Sequence, residues 1–217
     1  MKNSLCLLLL FITLPAAGQA DDKTAIRPFR IQVDEAVLVD LQQRLAKTRW
    51  PDQIAETGWQ YGIDLAYMKG LVEHWKTKYD WRAQEKRLNQ FPQFKTRIDG
   101  LDIHFMHVRS PHAKAQGLVL VHGWPGSFQE FAKMIPMLTE PEKHGGKVED
   151  AFHVVVPSLP GFGFSEIPKE RGWNQRRISE VIAKLMARLD YQQYGAQGGD
   201  WGAGIVRWLA ANDGAHC

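Results

Sequence analysis

Strand-helix alternation over residues 94–217 predicts an α/β protein, a parallel-rich sheet with flanking helices. Three observations carry that prediction. Gly117-Leu-Val-Leu-Val-His122 is a short continuous apolar run, as expected of a strand covered on both faces. Phe152 to Pro157 is a second such run. Asn174 to Leu189 carries Ile178, Val181, Ile182 and Leu185 at helical spacing behind a capping residue.

Residues 1–20 read as a secretory signal rather than as part of the fold. Lys2 is followed by an apolar run from Leu5 to Leu14, then by Gly18-Gln19-Ala20, which places cleavage after Ala20. An uncleaved amino-terminal anchor is the alternative. The expected localisation is export, periplasmic or secreted, with no stable membrane span after cleavage. Cys6 lies in the apolar run without a lipoprotein signature, and Cys217 is the other of the two cysteines, so no disulfide framework is expected.

Residues 21–93 read as a helical region. Asp34 is placed to cap a helix from Glu35 that Pro51 stops. Asp64 is placed to cap a second helix to Tyr79, with Leu65, Met68, Leu71, Val72, Trp75 and Tyr79 as its apolar stripe. Trp81 to Leu88 is a third. Core packing is the expected role of these aromatics. From residue 94, Phe94–Ile98 and Leu101–Val108 flank Asp99-Gly100 and predict a hairpin. Ser127 to Leu138 predicts a helix, 139–150 a surface loop, Tyr194 to Gly199 a strand and Ala203 to Ala211 a helix.

The chain has 27 Lys and Arg against 24 Asp and Glu, interspersed, for a net charge of +3, which gives no support to nucleic-acid binding. Chemistry concentrates at three predicted strand ends. His122-Gly123-Trp124-Pro125-Gly126 follows the first buried strand, and its glycines let the backbone approach a ligand closely. Residues 157–165, PSLPGFGFS, read as a structural turn. Ser158 and Ser165 lie there as possible nucleophiles, but neither occupies a small-x-Ser-x-small elbow. Gly198-Gly199-Asp200-Trp201-Gly202 has the elbow pattern with Asp at the centre. An Asp carboxylate is a competent covalent nucleophile, although capping of the next helix is the simpler role for Asp200.

HGWPGSFQEF, VPSLPGFGFS, AQGGDWG and the stretch from TRWP through YDWRAQEKRLNQFPQFKTRIDGLDIHF resemble the epoxide hydrolases of the α/β-hydrolase superfamily, microsomal and juvenile-hormone branch. The resemblance covers about residues 26–212. It implies an α/β-hydrolase core, carboxy-terminally incomplete, behind the branch's amino-terminal region. The division is then 1–20 signal, 21–93 helical region and 94–217 core. It further implies Asp200 as the nucleophile that opens a small apolar epoxide to a vicinal diol through a hydroxyalkyl ester. The main-chain N–H groups of Trp124 and Trp201 match the oxyanion hole, His122 orients its loop, and Trp124–Pro125 is a candidate cis peptide. No cofactor or metal is implied.

The family's acid, His base and cap tyrosines have no counterparts in this chain. Asp213 and His216 are the sole candidates after Asp200 and are expected in a frayed terminus. The last helix is expected to lack much of its packing and the last strand to lie at a bare edge. Alternatives are a haloalkane dehalogenase-like enzyme, disfavoured because Trp124 stands where those commonly carry Asn, and a non-catalytic remnant that binds small apolar ligands or a partner chain.

Overall fold

The computed structural model describes residues 24–217, so the signal segment, Cys6 and the export expectation lie outside the described residues. The elements run β1 (Arg27–Phe29), α1 (Glu35–Ala46), α2 (Leu65–Thr77), α3 (Trp81–Leu88), β2 (Gln93–Ile98), β3 (Leu101–Val108) and β4 (Gln116–Val121). They continue with α4 (Ile135–Thr139), β5 (Phe152–Pro157), α5 (Gln175–Arg188), β6 (Tyr194–Gly198) and α6 (Trp201–Asn212). The α/β architecture is the expected one.

One six-stranded sheet has the order β1-β2-β3-β5-β4-β6. It is mixed: β1/β2, β2/β3 and β3/β5 are antiparallel, and β4/β5 and β4/β6 are parallel. The parallel part is therefore confined to β5-β4-β6. β6 is an edge strand among the described residues. The β2–β3 hairpin turns at Asp99 and Gly100, both with positive φ (49° and 85°), the geometry that favours Asp-Gly.

The amino-terminal region is not wholly helical. Arg27–Phe29 adds β1 to the sheet, pairing Pro28 with Phe94. The Asn89 side chain secures the segment after it, accepting from Ile31 N–H at 2.9 Å and donating to Ile31 O at 2.8 Å. Asp64 and Asp80 cap α2 and α3 by accepting from Tyr67 and Ala83 N–H. Asp34 precedes α1 but makes no side-chain cap bond.

The expected core role of the α1–α2 aromatics is not what the structure shows. Neither helix buries a residue, and Tyr67, Leu71, Trp75 and Tyr79 are all exposed. Trp59 and Tyr61, in the loop between them, are exposed too. The two helices lie against each other, and among the described residues nothing covers the groove lined by Leu38, Leu41, Leu71 and Trp75.

The expected helix Ser127–Leu138 is divided into a 3-10 turn, Phe128–Phe131, and the short α4. Pro136 lacks the N–H a continuous helix would need and sits instead in the first turn of α4. The expected loop 139–150 contains two 3-10 turns, Pro141–His144 and Val148–Asp150.

Core side chains alternate along the strands. Phe105, Val119, Val121 and Val155 face α5 and α6, meeting Leu185, Met186, Ile205 and Leu209. Met106, Leu120, Val154 and Val156 face the other way, onto Phe128, Phe131, Ile135 and Leu88. The last helix does not lack packing, because α6 lies on α5 with Ile205 and Leu209 fully buried.

Phe105 is fully buried and stacks on Phe94 with ring centroids 5.7 Å apart. Phe105→Ala is expected to cost about 3–5 kcal/mol in urea unfolding. Tyr61→Ala, at an 80% exposed position, is expected to stay within about 0.5 kcal/mol. Equal losses would contradict this division between core and uncovered helices.

Candidate active site

β4, β5 and β6 run parallel, so the loops that follow them leave from the same edge of the sheet. These are the three loops marked by sequence, and the structure brings them together.

Asp200 joins β6 to α6 with φ 52° and ψ −122°. Such a backbone costs an ordinary residue about 1–3 kcal/mol and persists only where the surroundings impose it. The flanking glycines are those surroundings. A Cβ on Gly202 would lie 2.1 Å from Val121 O, and one on Gly198 would lie 2.5 Å from the Gly202 backbone. The chain therefore turns sharply enough to present Asp200 only with both positions bare. Asp200 occupies the residue before α6 but makes no cap bond to it.

Its carboxylate turns to the other loop instead. Trp124 N–H donates to Asp200 Oδ1 at 2.8 Å. The Trp124 and Trp201 N–H groups, in that order of effect, hold the carboxyl below its ordinary range. Among the described residues, no side chain donates to it. Gly123 makes the close approach possible, since a Cβ there would lie 2.6 Å from Asp200 Cβ. The sequence marked Gly123 as a place of close backbone approach but not its contact with Asp200, which joins positions 77 apart. The Trp124–Pro125 peptide is cis, as expected. Both indoles are exposed, Trp124 at 67% and Trp201 at 44%.

His122 is fully buried. Its Nδ1–H donates to Gly123 O at 3.1 Å, and its Nε2 accepts from Leu159 N–H at 3.1 Å. Burial favours the neutral ring and lowers its pKa. Both nitrogens are engaged, so His122 ties the β4 loop to the β5 loop and has no free nitrogen to act as a base.

Ser158 and Ser165 are buried and do not face Asp200. Ser158 Oγ meets His104 Nδ1 at 2.8 Å, and Ser165 Oγ donates to Ser158 O at 2.7 Å. The His104–Ser158 pair has the composition of a nucleophile and base, but both residues are closed in the core. Nothing in the local sequence marks the pair, which lies 54 residues apart.

Asp213 and His216 are not frayed. Asp213 accepts from Tyr194 O–H at 2.6 Å and meets His216 Nδ1 at 2.7 Å, while Tyr194 N–H donates to His216 O at 2.9 Å. Tyr194 begins β6 and Asp200 follows its end. At about 3.3 Å per residue the pair therefore stands roughly 15 Å from Asp200, at the opposite edge of the sheet.

Residues 26–131 match the family described as "Epoxide hydrolase N terminus", and residues 117–217 match "alpha/beta hydrolase fold". A Stigmatella aurantiaca protein provisionally named an epoxide hydrolase is 55% identical over 185 residues, 85% of this chain and 42% of its own length. Epoxide hydrolase 1 of Sus scrofa is 44% identical over 200 residues, 90% of this chain and 43% of its own length. Juvenile hormone epoxide hydrolase from the silkworm Bombyx mori superposes with a TM-score of 0.80 at 37% identity, over 89% of this chain and 46% of that one. The chain thus spans less than half the length of these relatives. The two matches together run from residue 26 to residue 217, so the chain carries an epoxide hydrolase amino-terminal region followed by an α/β-hydrolase fold, and over that span it is similar to the amino-terminal part of epoxide hydrolases.

Proposed function

We propose that this chain carries the nucleophile and oxyanion hole of an epoxide hydrolase acting on small apolar epoxides. The observation that supports it is the Trp124 N–H bonded to a carboxylate in an elbow backbone, with the adjoining Trp201 N–H also favouring the charged form. In the first step an Asp200 oxygen attacks an epoxide carbon. The C–O bond breaks, the epoxide oxygen takes a proton from water, and a hydroxyalkyl ester remains. In the second, water adds to the ester carbonyl, and the oxyanion forms on the Asp200 side chain. There the two N–H groups stabilise it without reorganisation. Loss of the ester C–O bond releases a vicinal diol and restores the carboxylate. Both steps need proton transfer, and no acid or base side chain hydrogen-bonds Asp200 among the described residues. Export rests on residues 1–20 alone and belongs to the same proposal.

Incubation with styrene oxide is expected to add one styrene oxide to the intact mass, with the ester mapped to Asp200. Asp200→Asn is expected to give none. Because no base adjoins Asp200 among the described residues, the adduct is expected to accumulate on this chain. An unmodified wild-type chain that also forms no diol would overturn the reading, and chloride release from a chloroalkane would favour dehalogenation.

The pH dependence follows from the lowered Asp200 pKa. The carboxylate is the reactive form, so the rate of adduct formation is expected to stay level as pH falls through the ordinary carboxylate range. It is expected to drop only below that range. A loss of rate within it, measured by quenched mass spectrometry, would contradict the assignment.

Gly123→Ala forces a Cβ against Asp200. Misplacement of a reacting group by about 1 Å can lower a rate about a hundredfold. The variant is expected to form adduct at least about tenfold more slowly while its far-ultraviolet circular dichroism is unchanged.

A further inference from the structure

The buried polar groups beneath the site form a directed relay. Gln93 sits at the start of β2, and its amide donates to Leu88 O at 3.0 Å, which leaves Gln93 Oε1 facing His104 Nε2 at 3.0 Å. An amide oxygen only accepts, so the His104 proton is on Nε2 and Nδ1 is the acceptor. Ser158 Oγ–H then donates to Nδ1 at 2.8 Å. The main chain reinforces this joint: Ser158 N–H donates to His104 O at 2.8 Å, and His104 N–H donates to Ser165 Oγ at 2.9 Å. Phe29, Phe128 and Phe164 pack edge-on or nearly so around the imidazole, which is fully buried. A Cβ on Gly163 would lie 2.5 Å from Ser158 Oγ, so the glycine in PGFGFS is what leaves room for this hydroxyl. A buried imidazole and hydroxyl are costly unless every polar atom is paired, and here they are.

Leu159 follows Ser158, and its N–H donates to His122 Nε2. That donor selects the tautomer of His122 with the proton on Nδ1. Nδ1–H and Gly126 N–H, the latter at 3.0 Å, both hold Gly123 O. The Gly123–Trp124 peptide is planar and trans, so its C=O and N–H point in opposite directions. Fixing Gly123 O on one side therefore aims Trp124 N–H at Asp200 on the other.

We propose that His104 and Ser158, with Gln93 behind them, are positioning residues that hold the Leu159 N–H and, through the His122 tautomer, aim the Trp124 N–H at Asp200. The proposal deepens the reading of Asp200 as nucleophile and rests on it for its effect on the reaction. The mechanical part, from Gln93 to the Trp124 N–H, does not need that reading. The groups facing the Asp200 carboxylate are the Trp124 and Trp201 N–H groups, and no charged side chain shifts its pKa.

Two variants and one control test it. Ser158→Ala removes the hydroxyl donor, and Gln93→Met removes the far end of the relay. Ile103→Val, in the core on the opposite face of β3, is a control for a packing loss away from the relay. The first readout is the carboxyl carbon of Asp200, followed by nuclear magnetic resonance through an acid titration, with the ring nitrogens of His122 followed in the same samples. In both relay variants the Asp200 midpoint is expected to rise toward the ordinary carboxylate value, and His122 to lose its single Nδ1–H signature. Ile103→Val is expected to move neither. The second readout is alkylation by styrene oxide: the limiting rate is expected to fall about tenfold in the relay variants, with the half-saturating concentration unchanged. An unchanged Asp200 midpoint and His122 signature in a folded Ser158→Ala chain would overturn the proposal. Absence of wild-type alkylation with the expected titration shifts would overturn the nucleophile reading and leave the relay standing.

Discussion

One hydrogen bond, from the Trp124 N–H to the Asp200 carboxylate, organises the edge of the sheet where β4, β5 and β6 end. It joins two loops that the chain reaches 76 residues apart, and neither can shift without the other. Asp200 can be presented only because Gly198 and Gly202 allow the chain to double back, and Trp124 can reach it only because Gly123 adds no Cβ. The local cost of the Asp200 backbone is thus borne by a parallel β4/β6 pair and an α6 whose Ile205 and Leu209 are locked into the core. The site is a tight main-chain object carried by a rigid scaffold.

Beneath it the protein tolerates two fully buried histidines, His104 and His122, in place of apolar packing. Burial drives both pKa values down, that of His104 to about 3, so both rings are neutral across the physiological range. Neutrality is a structural requirement here, because each ring donates from one nitrogen and accepts at the other. A proton added at His122 Nε2 would face the Leu159 N–H, a group that can only donate.

Much of the fold was legible because its signals are local. Apolar runs mark β4 and β5, Asp99-Gly100 marks the hairpin, and Asp64 and Asn174 mark two helix starts. Three features were not. β1 is three residues long and contains Pro28, so its strand character comes from pairing with β2 and not from its own pattern. The break before α4 follows from Pro136, which a count of apolar positions passes over. The stripe on α2 was visible, but periodicity states which residues share a face and not what lies over it. At the site, the elbow spacing of GGDWG marked Asp200, and the resemblance of HGWPG and GGDWG to epoxide hydrolase motifs added Trp124 and Trp201. The Ser158–His104 joint stayed hidden, since a side-chain bond between residues 54 apart leaves no local trace.

The site's use of backbone rather than side chains has a consequence for divergence. Under the proposed mechanism, positions 124 and 201 contribute their N–H groups, which any residue but proline supplies. Their indoles are both exposed beside the loop junction at Asp200. The walls that meet a substrate can therefore drift through many side chains while the chemistry beneath them stays the same. Glycines 123, 198 and 202 have no such freedom. Selectivity and catalysis are written in different parts of the same residues, and a lineage can revise one without erasing the other.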